Sequence, residues 1–139
     1  MQTHTTKNED ETLALAGEFA KTLKGGEVIE LVGDLGSGKT TFVRGIVVAL
    51  GSSVRVKSPT FTILNEYPVN HESIKRIVHI DLYRFKDASE LEALALDDYR
   101  CDDTVILIEW PRILGESIFK EVKEVDFEFM DESTRSISM

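Results

Sequence analysis

The segment Gly33-Asp34-Leu35-Gly36-Ser37-Gly38-Lys39-Thr40 matches the pattern G-x-x-x-x-G-K-[ST] in full. Glycines let successive backbone N–H groups curl around a polyphosphate where side chains would clash or restrict the backbone. A helix opening at Lys39 adds the partial positive charge of its N-terminus. Lys39 can then reach β- and γ-phosphates, Thr40 can offer its hydroxyl to Mg²⁺, and Thr41 is placed to touch an α-phosphate. The motif specifies a class of ligand and not a reaction, because kinases, ATPases and GTPases all use it.

The reaction needs carboxylates on the metal side. Two apolar runs end in acids: Ile77-Val78-His79-Ile80-Asp81 and Val105-Ile106-Leu107-Ile108-Glu109. Parallel strands would deliver both acids to the crevice at the carboxyl ends of a sheet. One can hold Mg²⁺, and the other can orient or deprotonate an attacking water. Lys39, Asp81 and Glu109 are therefore the candidate catalytic residues. Ser58-Pro59-Thr60 falls between the phosphate loop and the Asp81 strand, where GTPases keep a loop that senses the γ-phosphate. The Thr60 hydroxyl could do this, or could simply cap the loop. His79 reads as a core histidine, Trp110 as a packing or partner-contact residue, and Cys101 as a small filler. The His and Cys residues have no zinc-ligand spacing.

These residues need strands and helices to place them. Asn8 and Glu11 form a capping-box pattern opening a helix over residues 9–24, with Leu13, Ala16, Ala20 and Leu23 as its apolar stripe. Gly25-Gly26 ends it. Val28 to Val32 reads as a buried strand. A helix from Lys39 to Leu50, with Phe42, Ile46 and Ala49 on its buried face, closes at Gly51. Phe61 to Tyr67 and Arg76 to Leu82 read as strands around a turn at Asn70-His71. Asp87 and Glu90 open a helix to about Leu96. Thr104 to Trp110 reads as a buried strand stopped by Pro111, and Glu121 to Met130 as a later strand. The expected fold is α/β, a three-layer P-loop NTPase fold with a mixed, mainly parallel central sheet.

The 139 residues suit one domain over 1–139, and the net charge of −9 argues against an independent grip on nucleic acid. Acids gather at Asp87, Glu90, Glu92, Asp97, Asp98, Asp102 and Asp103, as a solvated face or a docking surface for a basic partner. No apolar run reaches the ~20 residues of a membrane span. The first ten residues lack the apolar core of a signal peptide. A single cysteine excludes an internal disulfide. Together these features predict a cytoplasmic protein.

The four spaced motifs, Gly33 to Thr41, Lys57-Ser58-Pro59-Thr60-Phe61, His79-Ile80-Asp81-Leu82-Tyr83-Arg84 and Glu109-Trp110-Pro111, resemble the TsaE (YjeE) family, as does Glu90-Leu91-Glu92. The similarity runs from about residue 8 to residue 111. The resemblance implies an ATPase subunit of the bacterial machinery that makes N6-threonylcarbamoyladenosine (t6A) at position 37 of tRNAs reading ANN codons. It implies ATP and Mg²⁺ as cofactors and a TsaD–TsaB complex as partner, with the carbamoyl transfer itself done elsewhere and the tRNA held by other subunits. It places nucleotide binding on Gly36, Ser37, Gly38, Lys39, Thr40 and Thr41, and Mg²⁺ on Thr40 and Glu109. The Walker B-like acid falls on Asp81, the switch threonine on Thr60, the tryptophan after the acid on Trp110, and an adenine-side contact on Asn8. After Pro111 the likeness weakens. Family members often carry a basic residue near the nucleotide in that tail, a role Arg135 could serve. A small-molecule kinase of this size would need an Arg-rich lid. Here the arginines are spread singly, and Arg84, three residues after Asp81, is the nearest to an arginine-finger candidate.

Overall fold

The computed structural model describes residues 2–34, 36–53, 56, 64–111 and 119–139, apart from the side chains of Ala88 and Leu91. In chain order the elements are β1 (Thr3–Thr6), α1 (Glu9–Ala20), β2 (Val28–Val32), α2 (Lys39–Ala49), β3 (Leu64–Pro68), β4 (Arg76–Asp81), α3 (Ala88–Ala93), a 3₁₀ turn (Leu96–Tyr99), β5 (Thr104–Glu109), β6 (Lys123–Phe129) and β7 (Arg135–Ser138). Among the described residues the strands form a seven-stranded sheet in the order β1-β7-β6-β2-β5-β4-β3. The central strands β6, β2, β5 and β4 run parallel. The flanks β3, β7 and β1 are antiparallel. This is the mixed, mainly parallel sheet expected from the sequence.

Parallel strands covered on both faces read as continuous apolar runs. Every residue of β5 is buried. One face of the sheet carries Ile29, Leu31, Ile77, Val105, Leu107, Val125 and Phe127 against Ala16, Ala20, Phe42, Val43, Ile46 and Val47 of α1 and α2. The other carries Val28, Val78, Ile80, Ile106 and Ile108 against Leu82, Phe85, Leu96 and Phe119. The result is three layers. Phe42 sits between Phe19 and Phe127, with ring centroids 5.5 and 5.3 Å away, and so ties both helices to the sheet.

Local chemistry sets the ends. Asn8 Oδ1 accepts from the Glu11 N–H at 2.8 Å, while Glu11 Oε2 accepts from the Lys7 N–H at 2.6 Å, a capping box shifted by one residue on its return bond. Asp87 and Glu90 repeat the device: the Glu90 N–H donates to Asp87 at 3.2 Å, and the Lys86 N–H donates to Glu90 at 3.1 Å.

Several boundaries differ from the sequence reading. Helix α1 stops at Ala20, because Thr22 and Leu23 take up i→i+3 turns to Phe19 and Ala20. Helix α3 ends at Ala93, and the left-handed Ala95 (φ 48°) starts a 3₁₀ turn instead of letting the helix reach Leu96. Trp110 leaves β5, since its own φ is 57°. Ala49 is exposed, and α2 buries Phe42, Val43, Ile46 and Val47. Strands β1 and β7 went unseen because they are short and polar. They pair with each other, and the chain ends close with Gln2 N–H to Met139 O at 2.9 Å.

Helices α1 and α2 meet at Gly45, where an added Cβ would lie 2.5 Å from Ala16 Cβ and 2.9 Å from Leu13 O. Gly45→Ala should therefore destabilise the fold by about 1–3 kcal/mol in urea unfolding through overpacking, although alanine is the better helix former. Equal or higher stability would mean that α1 shifts freely.

Candidate functional site

Strand β2 feeds the glycine-rich loop, and α2 begins at Lys39, so the loop sits at the carboxyl end of the sheet. Two glycines are required by geometry. A Cβ on Gly33 would lie 2.7 Å from Phe127 O of the neighbouring β6. Gly38, the residue before α2, holds φ 102°, a left-handed conformation that a side chain resists. Ser37 is buried between them.

Strands β4 and β5 carry the two acids. Their parallel register pairs Asp81 with Glu109, and Leu31 of β2 pairs with Glu109 on the other side. A cavity of about 260 Å³ at these strand ends is lined by Gly36, Gly38, Lys39, Thr40, Thr41, Asp81, Tyr83, Glu109, Trp110 and Arg135. The sequence-predicted Gly36, Gly38, Lys39, Thr40, Thr41, Asp81, Glu109 and Trp110 thus converge on one space. Thr60, with Ser58 and Pro59, lies outside the described residues.

Lys39 is almost completely buried. Its ammonium donates to Gly33 O at 2.5 Å and stands 4.0 Å from the Trp110 ring centroid. Burial lowers its pKa, against the pull of Glu109, Asp81 and Asp34. Asp81 accepts from the Tyr83 N–H at 2.9 Å. Its pKa is raised, chiefly by desolvation and further by the Glu109 charge, while the Tyr83 N–H, His79 and Lys39 oppose the rise. Glu109 Oε2 lies 2.6 Å from His79 Nε2. Trp110 stacks near Tyr83, with centroids 4.8 Å apart, and its left-handed backbone turns the ring over the ammonium.

Asn8 does not reach this cavity. It lines a second one, of about 370 Å³, with Glu9, Thr12, Gly38, Thr41, Glu132, Ser133 and Arg135. The two spaces share Gly38, Thr41 and Arg135. Arg135 is anchored on the β6–β7 hairpin: its Nη1 donates to Asp131 O at 2.6 Å and Thr134 O at 3.0 Å, and its guanidinium lies 4.6 Å from the Phe129 ring centroid. The resemblance offered Arg135 only as a residue that could serve as the basic group near the nucleotide. The signal available was its place in an alternating polar tail, which is weak without the hairpin.

The donor set also bears on a metal. Among the described residues, no group of three or more His, Cys, Asp or Glu could hold an ion alone. A hydroxyl and two carboxylates in one cavity instead suit Mg²⁺, which binds through one or two carboxylates plus substrate phosphates.

Comparison with known proteins identifies the family. The family model for threonylcarbamoyl adenosine biosynthesis protein TsaE matches residues 6–137, so it extends through the β6–β7 hairpin. The chain is 38% identical over 133 residues to the tRNA threonylcarbamoyladenosine biosynthesis protein TsaE of Bacillus subtilis, covering 96% of this chain and 81% of that protein. It is 41% identical over 106 residues to the Aquifex aeolicus protein of the same name, covering 75% of this chain and 72% of the relative. The crystal structure of Bacillus subtilis YdiB superposes with a TM-score of 0.77 at 33% identity, covering 98% of this chain and 82% of that one. Among the described residues, no helix is long and apolar enough to cross a membrane.

The crowded acids have a thermodynamic consequence. Asp81 binds its proton more tightly in the folded chain than in the unfolded one, so its ionisation costs stability as pH rises through the folded pKa. Asp81→Asn should raise the nucleotide-free Tm at pH 7, modestly because the site is partly open to water. The gain should shrink as pH falls toward the ordinary carboxylate range. A lower Tm at pH 7 would contradict this electrostatic account.

Proposed function

This chain belongs to the TsaE family of threonylcarbamoyl adenosine biosynthesis proteins, and from that premise we propose that it is a slow, partner-stimulated Mg-ATPase serving tRNA t6A modification. The observation that carries the reading is the convergence of Lys39, Thr40, Asp81 and Glu109 on one cavity beside a phosphate-binding loop. The loop N–H groups and the N-terminus of α2 receive the phosphates. Lys39 leaves Gly33 O and Trp110 to pair with the β- and γ-phosphates, which replaces one neutral acceptor by full charges. Thr40 and Glu109 are the residues to hold Mg²⁺, with Asp81 beside them. When bound, Mg²⁺ neutralises charge developing on the phosphates. The acid not engaged by the ion orients the attacking water and takes its proton.

The second cavity supports a place for the nucleoside. Asn8, Thr12 and Ser133 offer polar edges there, and Arg135 stands between it and the phosphate cavity. Asn8 Oδ1 is engaged in capping α1, so its amide NH₂ is the group to meet a base. The partner is a protein complex, TsaD with TsaB, and the nucleotide state acts on it as a switch. A net charge of −9 supports a division of labour in which other subunits hold the tRNA. Slow intrinsic turnover follows from the lack of an arginine devoted to the γ-phosphate among the described residues lining the phosphate cavity. Arg135 lines that cavity but is tied to hairpin carbonyls.

Phosphate release should be slow for the chain alone and faster with TsaB and TsaD. Glu109→Gln should cut the stimulated rate by about 10²-fold or more. Lys39→Ala should weaken nucleotide binding. Transfer of the γ-phosphate to a small-molecule acceptor would overturn the ATPase reading. Unchanged turnover in Glu109→Gln would show that the wrong acid has been assigned.

A further inference from the structure

His79 lies in the middle of β4, fully buried, in register with Leu107 of β5. It is two residues before Asp81, so both project from the same face of the sheet. Its Nε2 is 2.6 Å from Glu109 Oε2, with the two side chains 0% and 6% exposed. With Glu109 as a carboxylate, which offers only acceptors, the tautomer that fits this contact carries its proton on Nε2 and donates it. The other ring nitrogen, Nδ1, is buried with no hydrogen-bond partner among the described residues.

Packing alone does not account for this arrangement. A buried nitrogen without a partner costs stability, and a leucine would fill the space without that cost. The gain from histidine is at Glu109. A glutamate at a strand end has three torsions free to vary, and a hydrogen bond of this length restricts them. The bond engages Oε2 and leaves Oε1 free of it, while Glu109 lines the cavity. Asp81 is held from elsewhere, by the Tyr83 N–H. The two acids therefore have separate anchors.

We propose that His79 is a positioning residue for Glu109: its buried Nε2–H sets the orientation in which Glu109 presents one carboxylate oxygen to the nucleotide cavity. The proposal rests on reading Glu109 as an acid of the ATPase site. His79 lines neither the phosphate cavity nor the second one, so it governs turnover and Mg²⁺ dependence more than nucleotide affinity. Partners of metal-binding carboxylates typically contribute 10–100-fold.

The test compares wild type, His79→Leu and His79→Gln with TsaB and TsaD present. Gln places an N–H donor near the position of Nε2, whereas Leu places none. His79→Leu should lower kcat by about 10–100-fold and leave the KM for ATP within about threefold. It should also raise the Mg²⁺ concentration that half-saturates ADP binding in calorimetry. His79→Gln should recover most of both. A second readout needs no turnover: in the nucleotide-free chain, side-chain NMR should show a proton on His79 Nε2 whose resonance moves in Glu109→Gln. If His79→Leu does not fold, His79→Asn, whose donor is too short to reach Glu109, takes its place with the same expectation. Wild-type kcat and Mg²⁺ dependence in the Leu or Asn variant would overturn the proposal. So would a Gln variant as slow as Leu, or an Nε2 that carries no proton. If wild type releases no phosphate under any condition, the ATPase reading falls. The NMR and Mg²⁺-dependence results then still decide the role of His79.

Discussion

The site depends on the parallel pairing of β4 and β5 in the register that sets Asp81 beside Glu109. Side chains alternate along a strand, so a slip of one residue would turn an acid to the opposite face of the sheet. Burial prevents that slip. Residues 104–109 are buried throughout, and the strand is held between β2 and β4. A shift would exchange Val105 and Leu107 on one face with Ile106 and Ile108 on the other. The phosphate loop leaves β2, the next strand along, so the same register also fixes the distance between Lys39 and the acids.

The fold holds these charges at a cost. Lys39 is stripped of water and rests on a carbonyl and an indole. Asp81 sits where burial disfavours its charged form, with the Glu109 charge adding to the effect. His79 keeps one nitrogen buried without a partner among the described residues. Each departs from what would make the most stable core, and such departures gather where a protein works. A polyphosphate with a divalent cation would relieve the first two at once, supplying an anion for Lys39 and positive charge for the carboxylates.

The centre of the molecule was legible because its signals are strong and local. The glycine spacing, the apolar run before it and the helix after it all point to one loop. The runs ending in Asp81 and Glu109 are the pattern of strands covered on both faces. The periphery was harder to read. Strand β1, Thr3–Thr6, buries only its last residue, and β7 buries only Ile137. Their existence depends on pairing across the whole length of the chain. Arg135 reaches the loop only because the β6–β7 hairpin turns it back, with Asp131 accepting from the Ser133 and Thr134 N–H groups at 3.0 and 2.8 Å. His79 had the composition of a core histidine and the position of one. Its bond to Glu109 comes from the register of another strand, which no local pattern encodes.

The central claim is that the cavity at Lys39, Thr40, Asp81 and Glu109 is built for a polyphosphate together with a divalent cation. Calorimetric titration of the intact chain with a non-hydrolysable ATP analogue, with and without Mg²⁺, tests it most directly. The account predicts a single site whose affinity rises when Mg²⁺ is present. Absence of binding, or binding indifferent to Mg²⁺, would contradict it.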